Sequence, residues 1–341
     1  MASIVEEQLG ISQKSCDTDT APSASPVPVP VPTNKNHLAI VVSAVGGKPK
    51  TTDLLLDSVS AAATRDASLV SSKLDYILTK HDSCLDTLLN LQQIDTHQCQ
   101  ILKDVVRKDI KDILDILKTV SLMKWQAERI SELVSGYGET WSAQILNALL
   151  THREIIRRNE AAGAGAGNIH INIQKQQQQQ QHCFRYLDAR RVITIDEDAI
   201  QNGAVCWDIS KEKLNQVYQE EYNAAGMDMD MNINMNNDNN NGIHTIMHFV
   251  ITGYVASNTH GVATTLQRDG SDYSAAIMGR LLESCNITIW TDVNGVLSAD
   301  PRRVPDSYIL PEVSFTEAME LAYFGAKVIH PKTVSCKFKV Q

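Results

Sequence analysis

One predicted helix opening carries the side chains best suited to chemistry in this sequence. Within residues 264–276, Arg268 comes shortly before Gly270, Ser271 and Asp272. A helix N-terminus has unpaired N–H groups and a partial positive charge, so it favours an anion, and an arginine adds a forked donor for a carboxylate or phosphate. Asp272 can hold an ammonium group. The segment therefore indicates a site for a zwitterionic amino acid, although Ser271 as a plain helix cap beside two solvated charges explains the pattern equally well.

Two segments earlier in the chain combine glycines with polar side chains. Residues 41–53 run from a predicted strand into a polar glycine turn that lacks the G-x-x-x-x-G-K-[ST] pattern of a P-loop. Residues 136–142 carry two glycines before Glu139, which would let the backbone approach a ligand closely. A bent helix is the simpler alternative for residues 136–142, and Lys48 and Lys50 in the first segment are also explained as solvated loop charges.

A fourth segment, residues 290–302, directly follows a predicted strand. Ligands of open α/β sheets bind beyond the carboxyl ends of strands. The spacing of Asp292, Asn294 and Gly295 superficially matches a calcium loop. It fails the EF-hand pattern, which needs glycine at the sixth position and an acid at the twelfth. The alternative interpretation is a turn, because Asn-Gly is a common hairpin dipeptide.

Apolar periodicity along the chain predicts alternating strands and helices. We expect strands over residues 38–42, 249–252 and 287–290, and helices over 53–63, 101–120, 127–150, 271–284 and 314–325. The helical segment over 127–150 is expected to be interrupted by Gly136 and Gly138. The last helix begins with a capping box formed by Ser314 and Glu317, and Gly325 lies near its end. This alternation predicts an α/β fold with a mostly parallel sheet.

The domain organisation that we expect is a disordered proline-rich tail at 1–36 followed by one domain at 37–341. Two low-complexity inserts interrupt the domain. The first lies near 161–182 and includes six consecutive glutamines, and the second lies near 224–241 and is rich in Met, Asp and Asn. Neither composition can bury enough apolar surface to order itself, so we expect both inserts to be surface loops.

Composition narrows the classes of function. The net charge of −9 argues against nucleic acid as a partner, and no run approaches the ~18 apolar residues of a membrane helix. The seven cysteines include no C-x-x-C pair, which predicts free thiols in a reducing compartment. The N-terminus has Glu6 and Glu7, no arginine before Arg65 and no apolar core, so it shows no clear targeting signal. We expect a cytoplasmic or plastid protein.

In this order, the segments resemble the aspartate kinases, and most closely the kinase half of fused aspartate kinase–homoserine dehydrogenases. The resemblance is carried by residues 41–44, 136–144, 188–190, 252–276, 290–302 and 317–331, and the run from Glu320 to Pro331 is nearly diagnostic alone. It implies an amino-acid-kinase-like three-layer α/β/α sandwich. It also implies ATP-dependent phosphorylation of the L-aspartate side chain with Mg²⁺, and it is compatible with a homo-oligomer.

The resemblance also implies roles for particular residues. Positions that match those holding aspartate in the family are Ser43, Ala44, Thr52, Glu139, Arg268, Ser271 and Asp272. Positions that match those around ATP are Thr291, Asp292, Asp300, Arg302 and Lys327. Among these, we expect Arg268, Asp272 and Lys327 to act in catalysis. No residue is predicted as a dedicated metal ligand.

Two features of the family are missing from the sequence. The opening strand with its Lys-Phe-Gly-Gly-Thr loop is absent, so we expect a sheet without its first strand, and Lys48 or Lys50 is the candidate replacement for the lysine. No regulatory ACT domain or dehydrogenase domain follows before Gln341. The alternatives are an inactive remnant that binds nucleotide or a partner subunit, and a relative that acts on glutamate, carbamate or a nucleotide. Residues 136–139 and 324–331 favour aspartate over those substrates.

Overall fold

The structure, a computed structural model, describes residues 37–123, 128–164, 180–196, 204–225, 244–266, 270–290, 295–300, 303–323 and 333. The helices in this part of the chain are α1 (Thr51–Ala63), α2 (Ala67–Asn90), α3 (Thr96–Met123), α4 (Glu128–Ser135), α5 (Tyr137–Ala164), α6 (Trp207–Ala224), α7 (Gly270–Leu281) and α8 (Phe315–Tyr323). The strands are β1 (Ala39–Val42), β2 (Gln180–Leu187), β3 (Thr194–Asp196), β4 (Ala204–Val205), β5 (His244–Thr252), β6 (Val255–Asn258) and β7 (Ala263–Thr265).

The central sheet is parallel and has the strand order β1-β5-β2. Ala39 to Val42 pair in parallel with Phe249 to Thr252, so the carboxyl ends of β1 and β5 lie side by side. Successive side chains of a strand point to opposite faces. Val250 accordingly faces one apolar cluster, whereas Phe249 and Ile251 face another. Burial on both faces explains why these strands are continuous apolar runs.

Helices cover both faces of this sheet and make it a three-layer α/β/α sandwich. On one face, α5 and the adjoining ends of α2 and α3 pack through Leu85, Leu102 and Leu149 against Phe184 and Val250. On the other face, α6 and α7 pack through Leu214 and Ile277. Each fully buried aliphatic or aromatic side chain contributes roughly 1.5–3 kcal/mol to folding. The predicted fold class is thereby confirmed.

A third apolar cluster joins α1, α2 and α3 to the start of α5. Leu55, Ile77, Ile113 and Trp141 are fully buried in it. A smaller mixed sheet, with the strand order β4-β3-β6-β7, continues the structure beyond the end of β5.

Most predicted elements are present with shifted ends. The helical segment predicted over 127–150 divides at Gly136 into α4 and α5, as expected, but it continues through Gly138 without the second interruption. A Cβ at Gly136 would lie 2.7 Å from Val255 Cγ1, so this position needs glycine. The capping box is confirmed: Ser314 N donates to Glu317 Oε2 (2.8 Å) and Glu317 N donates to Ser314 Oγ (3.2 Å).

Other predictions were wrong or incomplete. Residues 287–290 form no strand, because Ile287 packs against Gly279 of α7 instead of pairing with another backbone. Helix α2 was not predicted. At the first predicted insert, α5 continues to Ala164 and β2 already begins at Gln180. Residues 165–179 and 226–243, like the tail at 1–36 and Gly325, lie outside the described residues.

Among the described strands, β1 pairs only with β5, so its other edge has no described partner. None of the helices in the described part of the chain is both long and apolar enough to span a membrane.

Candidate functional site

The candidate site lies where β1 and β5 end side by side. Gly253 N, just beyond β5, donates to Val42 O at the end of β1 (2.8 Å), which places the Ser43-Ala44 turn beside the turn at Gly253. Ser43 is exposed and Ala44 is partly buried. The neighbouring strand β2 is held to the same edge, because Ala189 N donates to Thr252 Oγ1 (2.8 Å). Three parallel strands therefore present their carboxyl ends together, where open α/β sheets bind ligands.

The N-terminus of α7 is packed against the end of β5. A Cβ on Gly253 would lie 2.5 Å from Ser271 Oγ, so only glycine allows this approach. Tyr254 N donates to Ser274 Oγ (3.0 Å), which ties the N-terminal part of α7 to the same segment. The N-terminal turn of α7 therefore lies beside the strand ends, and Asp272 follows Ser271 as a partly buried side chain of this turn.

A second close approach brings α5 to the end of β1. A Cβ on Gly138 would lie 2.9 Å from Ala44 Cβ and 3.4 Å from Thr51 Cγ2, so this glycine lets α5 lie directly on the turn. The next residue, Glu139, is only 4% exposed. Thr52, in the first turn of α1, is partly buried beside Thr51.

Glu139 is an ionisable group in an unusual environment. The backbone N–H groups of Glu139 and Ala44 act to lower the pKa of its carboxyl group, but burial outweighs both and raises the pKa of Glu139 to about 7. Its Oε2 atom is buried without a hydrogen-bond partner among the described residues. A buried carboxylate oxygen normally has such a partner, and a perturbed pKa in a cleft marks a candidate functional residue. The group is suited to hold a cation, such as an ammonium.

The structure brings together five of the residues predicted to hold the substrate: Ser43, Ala44, Thr52, Glu139 and Ser271. Asp272 is adjacent to Ser271. Asp300 is exposed in a loose hairpin, where Leu297 bridges Ile309 and the Asp300 carbonyl accepts from Arg303 N and Val304 N.

The other predicted site residues, Arg268, Thr291, Asp292, Arg302 and Lys327, lie outside the described residues.

One residue at the site was missed in the sequence. Lys80, on α2, extends under the loop between β1 and α1 and donates to Val45 O and Pro49 O (both 3.2 Å). Its position on an amphipathic helix gives no signal, because most such lysines are solvated. Asp188 and Arg190, beyond β2, form a forked ion pair with Nε–O distances of 2.9 and 3.0 Å. Residues 188–190 carry part of the family resemblance, but the sequence predicts no site role for them.

Comparison with known proteins gives a consistent result. The sequence model of the "Amino acid kinase family" matches residues 32–339. A bifunctional aspartokinase/homoserine dehydrogenase, chloroplastic, from Daucus carota is 32% identical over 296 residues, which are 87% of this chain and 26% of the relative. The bifunctional enzyme of Haemophilus influenzae is 53% identical over 85 residues, 25% of this chain and 10% of the relative. The chain thus spans about a quarter of the length of its plant relatives.

Solved structures agree on the fold. E. coli aspartokinase III in complex with aspartate and ADP superposes with a TM-score of 0.62 at 22% identity, covering 88% of this chain and 53% of that chain. The same protein in complex with lysine and aspartate gives a TM-score of 0.59 at 22% identity, with the same coverage. At this identity the likeness supports the fold, and the chemistry must be argued from the residues.

Proposed function

Because the chain belongs to the amino acid kinase family, we propose that it is an aspartate kinase. The reaction transfers the γ-phosphoryl group of ATP to the side-chain carboxylate of L-aspartate and yields 4-phospho-L-aspartate and ADP. This reaction opens the biosynthesis of lysine, threonine and methionine. The names of the Daucus carota and Haemophilus influenzae relatives, both bifunctional aspartokinase/homoserine dehydrogenases, support the choice of substrate. The chloroplastic plant relatives support plastid residence, with the cytoplasm as the alternative.

The observation that carries the proposal is the buried carboxylate of Glu139 at the strand ends. A buried carboxylate oxygen that has no partner among the described residues suits a cationic ligand, and the α-ammonium group of an amino acid supplies one. A kinase substrate that is only an anion would be repelled there. Glu139 therefore favours an amino acid over carbamate and over a nucleotide.

The carboxylate of the substrate is bound by hydrogen-bond donors and a cation. The N–H groups at the start of α7 and the Ser271 hydroxyl donate to a carboxylate of the substrate, and Arg268 adds the forked donor that a carboxylate prefers. Asp272 supplies a second acceptor for the ammonium group. Ser43, Ala44 and Thr52 line the opposite wall.

The nucleotide is assigned to Thr291, Asp292, Asp300, Arg302 and Lys327. ATP arrives as its Mg²⁺ complex, in which the ion is held mainly by phosphates and water with one or two carboxylates. Asp292 and Asp300 are the carboxylates available in this set. Lys327 and Arg302 are the cations that would balance charge on the phosphates.

The chemical step is an in-line transfer. An oxygen of the aspartate side-chain carboxylate forms a bond to the γ-phosphorus, while the bond from that phosphorus to the bridging oxygen breaks and ADP leaves with the electron pair. Two anions must meet, so catalysis consists of positioning and charge stabilisation, and no covalent enzyme intermediate is needed.

The test is an aspartate-dependent assay in which hydroxylamine traps the acyl phosphate. We expect hydroxamate only when both aspartate and Mg²⁺-ATP are present, and we expect its loss in Glu139→Gln and in Arg268→Ala. Glu160→Gln is the matched control, because Glu160 lies on the same helix α5 and is exposed. A folded chain that makes no hydroxamate with aspartate would refute the proposal.

A further inference from the structure

The loop between β1 and α1 is tied together by one ammonium group. Lys80 Nζ donates to Val45 O (3.2 Å), to Pro49 O (3.2 Å) and to Thr51 Oγ1 (3.1 Å). Thr51 Oγ1 in turn donates to Val45 O (2.9 Å). An ammonium group has three donors, so these three acceptors use all of them. A residue 29 positions or more away in the sequence thus joins the two ends of the loop.

This ammonium group has no carboxylate partner among the described residues. Burial lowers the pKa of Lys80, because desolvation disfavours its charged form. Lys73, on the same helix, shows the ordinary arrangement: its Nζ lies 2.7 Å from Asp57 Oδ2 near the surface. Among the described residues, Lys80 is therefore held in place by carbonyl and hydroxyl dipoles of the loop and not by an opposite charge.

The same loop sets the width of the substrate site. Ala44 and Thr51, at its two ends, are the residues that Gly138 packs against, and Glu139 follows Gly138 directly. A loop that loses its ties at Val45 and Thr51 would change the gap into which α5 fits. Such a change would weaken the contacts through which Ser43, Ala44 and Thr52 are proposed to hold aspartate.

We infer that Lys80 is a positioning residue, which fixes the loop over residues 43–52 in the shape that binds the substrate without touching the substrate itself. This inference rests on the proposed function for the identity of the ligand. The anchoring of the loop does not, because the three hydrogen bonds exist in the free chain.

The first experiment measures hydrogen–deuterium exchange of peptides covering residues 43–52 without ligand. Lys80→Met keeps the apolar stem and removes all three donors, so we expect these amides to exchange at least about fivefold faster than in the wild type. Lys80→Arg keeps the charge and several donors, so it should restore much of the protection. Lys73→Met is the matched control, because it removes a lysine that links α2 to α1 away from the loop, and it should leave this exchange unchanged.

The second experiment measures aspartate binding by calorimetry and turnover by the hydroxamate assay. We expect the Kd and KM for aspartate to rise about tenfold or more in Lys80→Met, with a much smaller change in kcat. Thr51→Val removes one acceptor of Lys80 from the opposite side and should reproduce part of both effects. It also keeps the test available if Lys80→Met does not fold.

Loop exchange equal to the wild type in Lys80→Met and Thr51→Val would overturn the inference. So would a loss of kcat with unchanged aspartate affinity, because it would place the ammonium group on the phosphoryl group instead of the loop. If the wild-type chain fails to bind aspartate, the proposed function falls, and the exchange of the loop still decides whether Lys80 anchors it.

Discussion

Glu139→Gln should make the folded chain more stable at pH 8 while it abolishes aspartate binding. The carboxyl group is buried, and one of its oxygens has no hydrogen-bond partner in the described part of the chain. Ionising such a group is unfavourable, which is why burial raises its pKa from 4.5 to about 7. Glutamine has nearly the same shape and stays neutral at every pH.

The sign and size of the effect follow from linkage. Between pH 4.5 and pH 7 the folded chain holds a proton on Glu139 that the unfolded chain has lost, so stability falls as the pH rises through this window. The shift corresponds to about 3 kcal/mol above pH 7 and to almost nothing below pH 4.5. The amide of glutamine brings donors that need partners, so we expect a net gain of about 2 kcal/mol at pH 8.

Urea unfolding of the wild type, Glu139→Gln and Glu160→Gln at pH 5, 6, 7 and 8 tests this reasoning. The difference in unfolding free energy between the wild type and Glu139→Gln should grow steadily from pH 5 to pH 7 and then level off. Glu160 is exposed, so its variant should track the wild type at every pH. A Glu139→Gln chain that is no more stable at pH 8, or a difference that does not depend on pH, would refute the assignment of a strained buried carboxylate.

Three further predictions follow from the same structure. The Kd for aspartate should be about tenfold higher at pH 6 than at pH 8, because the proposed ammonium contact needs Glu139 ionised; a pH-independent Kd by calorimetry would contradict this. Gly253→Ala should lower the unfolding free energy by about 1–3 kcal/mol and weaken aspartate binding, because its Cβ would lie 2.5 Å from Ser271 Oγ; wild-type melting and affinity would contradict the packing. Burial lowers the pKa of His248 to about 3, so stability should fall as the pH drops from 6.5 towards 3, by up to about 5 kcal/mol, and His248→Asn should flatten that slope in urea titrations.

The central strands could be predicted because burial on both faces gives them continuous apolar runs. Helix α2 carried a usable signal that was missed: its buried residues Val70, Leu74, Ile77, His81 and Leu85 recur at spacings of three and four. His81 is polar but occupies a core position of this pattern, since it is fully buried and the centroid of its ring lies 4.9 Å from that of Trp141. The prediction of a strand over 287–290 was wrong because the residue types of this segment favour extended backbone but do not supply a strand to pair with.

The candidate site divides in the same way. The helix opening at Ser271 and Asp272 could be predicted, since it depends on residues adjacent in the chain. The contact of Gly138 with Ala44 depends on two elements about 90 residues apart, and only the family resemblance suggested it. Nothing in the sequence indicated Lys80, because its partners are two carbonyl groups and a hydroxyl that become neighbours only after folding.

The amino ends of the three parallel strands carry hydrogen bonds that stabilise the fold, whereas their carboxyl ends carry desolvated ionisable groups that destabilise it. At the amino ends, Leu38 N donates to His248 Nδ1 (3.0 Å), so the proton of that ring is on Nε2 and is donated to His182 Nδ1 (2.8 Å). One neutral imidazole thereby joins β1, β5 and β2, and protonating it would break the bond to β1. At the carboxyl ends, the Glu139 carboxylate and the Lys80 ammonium are both held in partly or fully desolvated places at a cost to stability. Functional sites commonly carry such costs, and here the hydrogen bonds at the opposite end of the same three strands keep the strands in register.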